Sequence, residues 1–277
     1  MTSTSVIPEA WCQWLIHNRD RGCARQVIVE RAVAQGYSLV AINAVLDTPA
    51  QLGADLTAAD GLKPPAWSQW FNAPITDPQL QPRAVRLETP LAQLYELPCL
   101  VSSQECQELI EAINSALLPS TVTRGSNDYR TSRTCHLRHH HPELSRRLDQ
   151  RFAELLGVDP RFSEPIQGQR YDPGEYFKQH TDWFALGTKE FDQNTTNGGQ
   201  RTWTVMVYLN AVESGGETWF QHLGQRFAPR SGLGLAWNNL QEDGSPNQYT
   251  LHEAMPVDVG SKWVITKWFR ERMGRNG

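Results

Sequence analysis

Past Pro165 the sequence breaks into seven short runs rich in β-branched and aromatic residues, at 166–171, 176–183, 202–209, 217–220, 233–237, 251–256 and 262–269. Clusters of Gly, Pro, Asn and Asp separate them. A chain that alternates every few residues between strand formers and turn formers folds as an antiparallel sandwich or barrel. No internal repeat or low-complexity tract interrupts the pattern. The expected architecture is mainly β, with helices flanking the strands.

Two helices are predicted before the strand-rich part. In 102–117, Ser102 and Glu105 have the spacing of a capping box, and Cys106, Leu109, Ile110, Ile113 and Leu117 form an apolar stripe that should pack on a sheet. The run 142–156 places Leu144, Leu148, Phe152 and Leu155 or Leu156 at helical spacing and stops at Gly157. Residues 1–47 read as a small helical module: Pro8 suits a first turn, Trp11, Trp14 and Leu15 share a face, and Gly22 stops it. A second helix from Arg25 to Gln35 ends at Gly36, and Ser38 caps a third that reaches Leu46. Six prolines without a sustained period make 48–83 a linker, although Trp67, Trp70 and Phe71 argue that part of it packs on something. Residues 84–277 are then the main domain.

The chain has 277 residues, 39% of them apolar, enough to bury a core that needs neither disulfide nor metal for its stability. A formal net charge of −4 without a run of five like charges argues against nucleic acid or an anionic membrane as partner. The N-terminal residues lack the basic and apolar regions of a signal peptide, and no stretch approaches a membrane span. Cys12, Cys23, Cys99, Cys106 and Cys135 are odd in number and form no CxxC pair, which fits reduced thiols. A cytoplasmic location is expected.

His180 and Asp182 stand two apart in a strand run, so their side chains share a face. In an antiparallel barrel a distant strand can supply a third ligand, and His252 is the best placed. Two imidazoles and a carboxylate on one side of a metal leave positions open for a cosubstrate and dioxygen. That donor set suits iron(II), whereas structural zinc takes four protein ligands, usually thiolates among them. Lys262 follows ten residues after His252 and shares a strand face with Val264, Thr266 and Trp268. A lysine in such an apolar strand is costly unless an anion pairs with it.

Five motifs in order carry a resemblance: RTS at 130–132, RYDPGEYFKQHTDWF at 170–184, RTWTVMVYLN at 201–210, GGETWF at 215–220 and LHEAMPVDVGSKWVITKWFR at 251–270. From about 85 to 272 the chain resembles the prolyl 4-hydroxylase-like branch of the iron(II) and 2-oxoglutarate-dependent oxygenases. The resemblance implies a double-stranded β-helix whose major sheet is braced by helices. It implies that His180, Asp182 and His252 bind the iron, that Lys262 pairs with the distal carboxylate of 2-oxoglutarate, and that the Tyr171 hydroxyl reaches the same carboxylate. Trp268 should line the site, and Thr204 should face the cosubstrate. Arg130, Ser132, His136, Tyr176 and Trp183 are the candidates for the substrate cleft.

The activity so implied is hydroxylation of a prolyl or similar residue in a peptide or protein, with release of succinate and carbon dioxide and with ascorbate as a candidate reductant. The carboxylate at Asp182 marks a hydroxylase, because halogenating relatives carry a small residue there. A free amino acid or small natural product is the alternative substrate. A metal-free β-barrel binding module, with the N-terminal helices as an adaptor that docks a partner, is the alternative of another class. The polar segment 185–200 could close over a substrate. His139, His140 and His141, before Pro142, read as a polar turn at a helix start, while His17 and His222 lack a ligand pattern.

Overall fold

The computed structural model describes residues 84–120, 129–241 and 244–273. Nearer the N-terminus it describes 25–47 and positions 7, 8, 11, 12, 15, 16 and 19. The expected linker 48–83, with Trp67, Trp70 and Phe71, lies outside the described residues, as do Trp14, His17, Gly22 and Cys23. Helix α1 is Arg25–Ala34, and the chain turns at Gly36 with φ 90. Helix α2, Leu39–Leu46, starts where the Ser38 hydroxyl accepts the Ala41 N–H. Ile28 and Ala32 of α1, Ile42 and Leu46 of α2 and the earlier Leu15 bury one another in a small cluster, against which Leu186 also packs.

Eight strands form a large sheet in the order β1 (Val85–Arg86), β2 (Leu94–Leu97), β11 (Gly234–Asn238), β7 (Arg201–Tyr208), β14 (Lys262–Arg270), β5 (Gln167–Tyr171), β4 (Arg133–His136) and β3 (Leu118–Pro119). A four-stranded sheet runs β10 (Gln225–Phe227), β9 (Thr218–Phe220), β12 (His252–Ala254) and β6 (Phe177–His180), and β8 (Ser214–Gly215) pairs with β13 (Val257–Val259). The pairings between these strands are antiparallel. This is the expected β-helix layout. All seven strand runs read from the sequence are present.

The two-residue period of β7 builds both cores. Trp203, Val205 and Val207 point to one face, where α3 (Ser103–Asn114) supplies Leu109 and Ile113 and α5 (Pro142–Leu156) supplies Leu148 and Phe152. Met206 and Tyr208 point to the other face and meet Phe220, Phe227 and Trp237 in the space between the sheets. Both bracing helices start and stop as their residues dictate. Ser102 and Glu105 complete the capping box of α3, and Gly157 closes α5 at φ 64. The helix and sheet meet closely at Gly168, where a Cβ would lie 2.4 Å from Ile113 Cγ1.

Three differences from the sequence reading concern local signals. Segment 185–200 contains helix α6, Lys189–Thr195, because Thr188 caps it and Glu190 and Asp192 sit in its positively polarised first turn. Strand 176–183 is shorter than its pattern. The ladder of β6 ends at His180, which pairs with His252, and its register slips between His252 and Ala254. The His139 and His140 turn is part of a short helix, α4 (Leu137–His140). No helix among the described residues is long and apolar enough to cross a membrane.

Candidate metal centre

Strands β6 and β12 are neighbours, and His180 and His252 are register partners across them. Their rings therefore lie side by side, with centroids 4.3 Å apart. Asp182 sits two residues past the end of β6 and is buried. Ligand atoms of the three residues all lie within 4.8 Å of one another. His180 Nδ1 is 2.8 Å from the Lys178 carbonyl and His252 Nδ1 is 2.9 Å from the Thr250 carbonyl. A carbonyl only accepts, so each Nδ1 carries the proton and each Nε2 keeps a lone pair for a metal.

The protonation states agree. Burial, with the neighbouring His252, pushes the His180 imidazole down to about 3. Burial works against the Asp182 carboxylate, but His252, His180, Arg201 and the Thr204 hydroxyl hold it below its ordinary value. A neutral imidazole at His180 and an ionised carboxylate at Asp182 are the forms that bind a divalent cation. The donor set fits iron(II) with open positions.

Behind the metal face stands a polar relay. Thr204 Oγ1 donates to Asp182 Oδ2 at 2.7 Å, and Asn239 Nδ2 donates to Thr204 Oγ1 at 2.9 Å. Thr204 thus differs from its expected place: β7 directs it at the carboxylate, and it is absent from the wall of the cosubstrate cavity. Replacing Thr204 with Val should free Asp182 to rotate and weaken metal binding by about 10- to 100-fold, the usual cost of losing such support. A manganese(II) titration that gives equal affinity for both proteins would show that Asp182 does not depend on this bond.

Next to the triad a narrow cavity is walled by Lys262, Tyr171, Gln169, Trp237, Val264 and Trp268 among others. Lys262 is 1% exposed. Its Nζ donates to the Gly216 carbonyl at 2.9 Å and lies 4.3 Å from the centre of the Tyr171 ring. Burial pulls its ammonium down to about 7, with Glu217 alone working against the shift. The Tyr171 hydroxyl donates to Gln169 Oε1 at 2.8 Å, while the buried Nε1 atoms of Trp237 and Trp268 have no hydrogen-bond partner. One buried cation and two N–H donors lacking acceptors are the surroundings that a carboxylate-bearing ligand completes. The chemistry of this lining therefore suits 2-oxoglutarate.

The triad also opens into a cleft of about 690 Å³. Arg130, His136 and Trp183 line it as expected. Ser132 and Tyr176 do not. Ser132 is buried and accepts from Arg130 Nε at 3.0 Å, and a register irregularity, three steps along β6 against two along β12 between the pairs Phe177–Ala254 and His180–His252, brings Phe177 rather than Tyr176 to the metal's side. Phe177 stacks on His180 with centroids 3.6 Å apart and carries the Arg130 guanidinium 4.8 Å above its ring. Sequence reasoning missed Phe177 and His139, which also line the cleft; the regular strand phase of His180 pointed away from Phe177, and only the register irregularity brings the two together.

It also missed an ionic hub. Glu164 accepts from Arg201 through both carboxylate oxygens, at 2.6 and 2.7 Å, and from Arg270 at 3.1 Å. Arg201 in turn stacks on Trp268, 4.1 Å from its ring centre, and reaches the Asp182 carbonyl at 3.4 Å.

A two-sheet β-helix with a His-x-Asp and distal His triad, beside a cavity holding a buried lysine, is the architecture of a metal-dependent oxygenase that takes an oxo-acid cosubstrate. Known proteins agree. Residues 166–270 match the family model described as the 2OG-Fe(II) oxygenase superfamily. A prolyl 4-hydroxylase homologue of Acanthamoeba polyphaga mimivirus is 31% identical over 188 residues, 67% of this chain and 77% of that protein. Prolyl 4-hydroxylase 5 of Arabidopsis thaliana is 32% identical over 194 residues, 61% of this chain and 65% of its own. The crystal structure of the viral collagen prolyl hydroxylase from Paramecium Bursaria Chlorella virus-1, in complex with 2OG, superposes with a TM-score of 0.52. Its identity is 27%, over 64% of this chain and 95% of that one. The chain belongs to the prolyl 4-hydroxylase-like group of the 2OG-Fe(II) oxygenases. It spans about a third of the animal α subunits it also matches, 33% in the Gallus gallus protein.

Proposed function

We propose that this protein is an iron(II)- and 2-oxoglutarate-dependent dioxygenase that hydroxylates a prolyl or similar residue within a peptide or protein. The observation that carries this reading is the convergence of His180, Asp182 and His252 on one point at the junction of the Lys262 cavity and the cleft. His180, Asp182 and His252 hold the iron, Lys262 and Tyr171 hold the distal carboxylate of 2-oxoglutarate, and Trp268 closes the wall between cosubstrate and substrate. Iron, 2-oxoglutarate and dioxygen supply the oxidising equivalents that place an oxygen atom on the substrate and release succinate and carbon dioxide. The chain's own work is positioning. The Nδ1 bonds of the two histidines fix their rings, Thr204 fixes Asp182, and Phe177, Trp183 and Arg130 shape the space in which a C–H bond is presented.

A cleft of about 690 Å³ favours a peptide over a free amino acid, which would fill little of it. The same reading takes residues 84–277 as the oxygenase domain, 48–83 as a linker and 1–47 as a module that docks a partner. It places the protein in the cytoplasm and gives ascorbate the role of reductant. Succinate release measured against prolyl peptides, free proline and cell lysate tests it. Release should be stimulated by prolyl peptides, with one oxygen gained by the peptide. Stimulation by free proline alone would move the assignment to small-molecule hydroxylation. Failure of iron and 2-oxoglutarate together to give a weak visible charge-transfer band would leave a binding module.

A further inference from the structure

A second cavity of about 480 Å³ lies beside the cleft, and the two share Glu164 and Pro165 as a common wall. Helix α5, the segment 160–165, the C-terminal end of α6 and strand β14 enclose it. Five cations line it, Arg138, Arg146, Arg161, Lys267 and Arg270, against two carboxylates, Asp149 and Glu164. Both carboxylates are already committed. Asp149 is paired with the buried Lys267, and Glu164 is shared by Arg201 and Arg270. The remaining cations stand at the rim.

Those rim cations are available to a ligand. Arg146 is paired with Glu143 and Arg161 with Asp159, but all four side chains are well exposed or nearly so. Pairs in that setting add little and exchange readily with an incoming carboxylate. Arg138 is exposed and has no salt bridge among the described residues. A positive rim on a chain whose net charge is −4 is a local feature of this surface and not the average of the molecule. His136 and His139 line the cleft and flank the Leu137–Arg138 step of α4, so one short stretch of chain joins the metal's neighbourhood to the rim.

We propose that this cavity is an anion-docking subsite for the substrate: the natural substrate is a peptide or protein segment that carries clustered Asp or Glu to one side of the residue being hydroxylated. An extended chain with its target residue at the triad crosses Pro165 and delivers the acidic cluster to Arg138, Arg146 and Arg161. This inference rests on the peptide-hydroxylase reading above and supplies its substrate class.

The test uses the iron-loaded full-length protein with 2-oxoglutarate and three peptides sharing one prolyl core, flanked on either side by Asp and Glu, by Ser and Gly, or by Lys. The acidic peptide should show a KM at least tenfold below that of the neutral one, with similar kcat, and the advantage should shrink as salt is raised. In Arg138→Glu/Arg146→Glu the preference should vanish while kinetics on the neutral peptide stay unchanged, and Arg138→Lys/Arg146→Lys should retain most of it. Equal KM for acidic and neutral peptides, or a preference that survives charge reversal, overturns the proposal. Binding of a fluorescent acidic peptide, followed by anisotropy, separates the two levels of failure. Binding that charge reversal abolishes, without turnover of any peptide, rejects the hydroxylase reading and keeps the subsite. Absence of binding rejects the subsite whatever is turned over.

Discussion

Alanine at His180, Asp182 or His252 is expected to remove iron binding and bring peptide-stimulated succinate release below detection. Two remaining protein ligands cannot hold iron(II) against water with the affinity of three, and the loss is the same from whichever corner it is made. The three variants differ in what else they do. His252 is 6% exposed, stacked on Phe220 at 5.3 Å and set edge-on to Trp237 at 5.0 Å, so its truncation leaves a void and should cost about 2 to 5 kcal/mol of stability, as other large-to-small core changes do. His180 is only half buried and should cost less. Asp182→Ala removes a carboxylate that the buried Thr204 hydroxyl uses as its acceptor, leaving a donor unpaired at about 1 to 3 kcal/mol. Iron titration, succinate assay and circular dichroism of each variant check this. A folded variant with full activity would remove its residue from the ligand set.

How much of this centre could be read without coordinates follows from the range of each signal. The His-x-Asp pair and the strand face of Lys262 are local, two-residue periodicities, and the turn residues around them mark the strands, so they are legible in sequence. The shorter strands β2, β4 and β10 carry no such alternation. They are strands because the large and small sheets offer them hydrogen-bonding neighbours. The supports of the site are not local either. Asn239 reaches Thr204 across 35 residues and Arg270 reaches Glu164 across 106, and nothing in the sequence near any of these four residues announces its partner. Thr204 shows the limit most plainly. Its strand phase toward the site is readable, but whether it touches the cosubstrate or the carboxylate ligand depends on where β6 ends, which a register irregularity in β12 accompanies.

Lys262→Met should abolish tight 2-oxoglutarate binding and make the protein more stable, an opposition that a merely structural lysine would not show. The cosubstrate loses the buried ammonium of the cavity wall. Breaking such a buried charge pair costs about 3 to 5 kcal/mol, so the KM for 2-oxoglutarate should rise by roughly two to four orders of magnitude while iron still binds. The free enzyme, by contrast, holds a cation in an apolar pocket, with its ammonium pulled from 10.5 down to about 7 by burial. Because the folded pKa is below the unfolded one, the penalty is fully present below pH 7. Between pH 7 and 10.5 the unfolded chain binds the extra proton, so stability rises with pH and the penalty fades. Thermal denaturation without cosubstrate should therefore show the methionine variant ahead of the wild type at pH 6 and level with it near the top of that window. Binding of 2-oxoglutarate, which requires the charged lysine, should take up a proton and weaken as pH climbs above 7, as calorimetry in two buffers of different ionisation enthalpy will read. If the 2-oxoglutarate KM is unchanged in Lys262→Met, the anchor is another cation. Arg270, on the same strand as Lys262, is not that cation, because it is bound to Glu164 and to the Asn194 and Asn197 carbonyls and stands outside the cavity. Arg130, 8% exposed and on the cavity wall, would take its place.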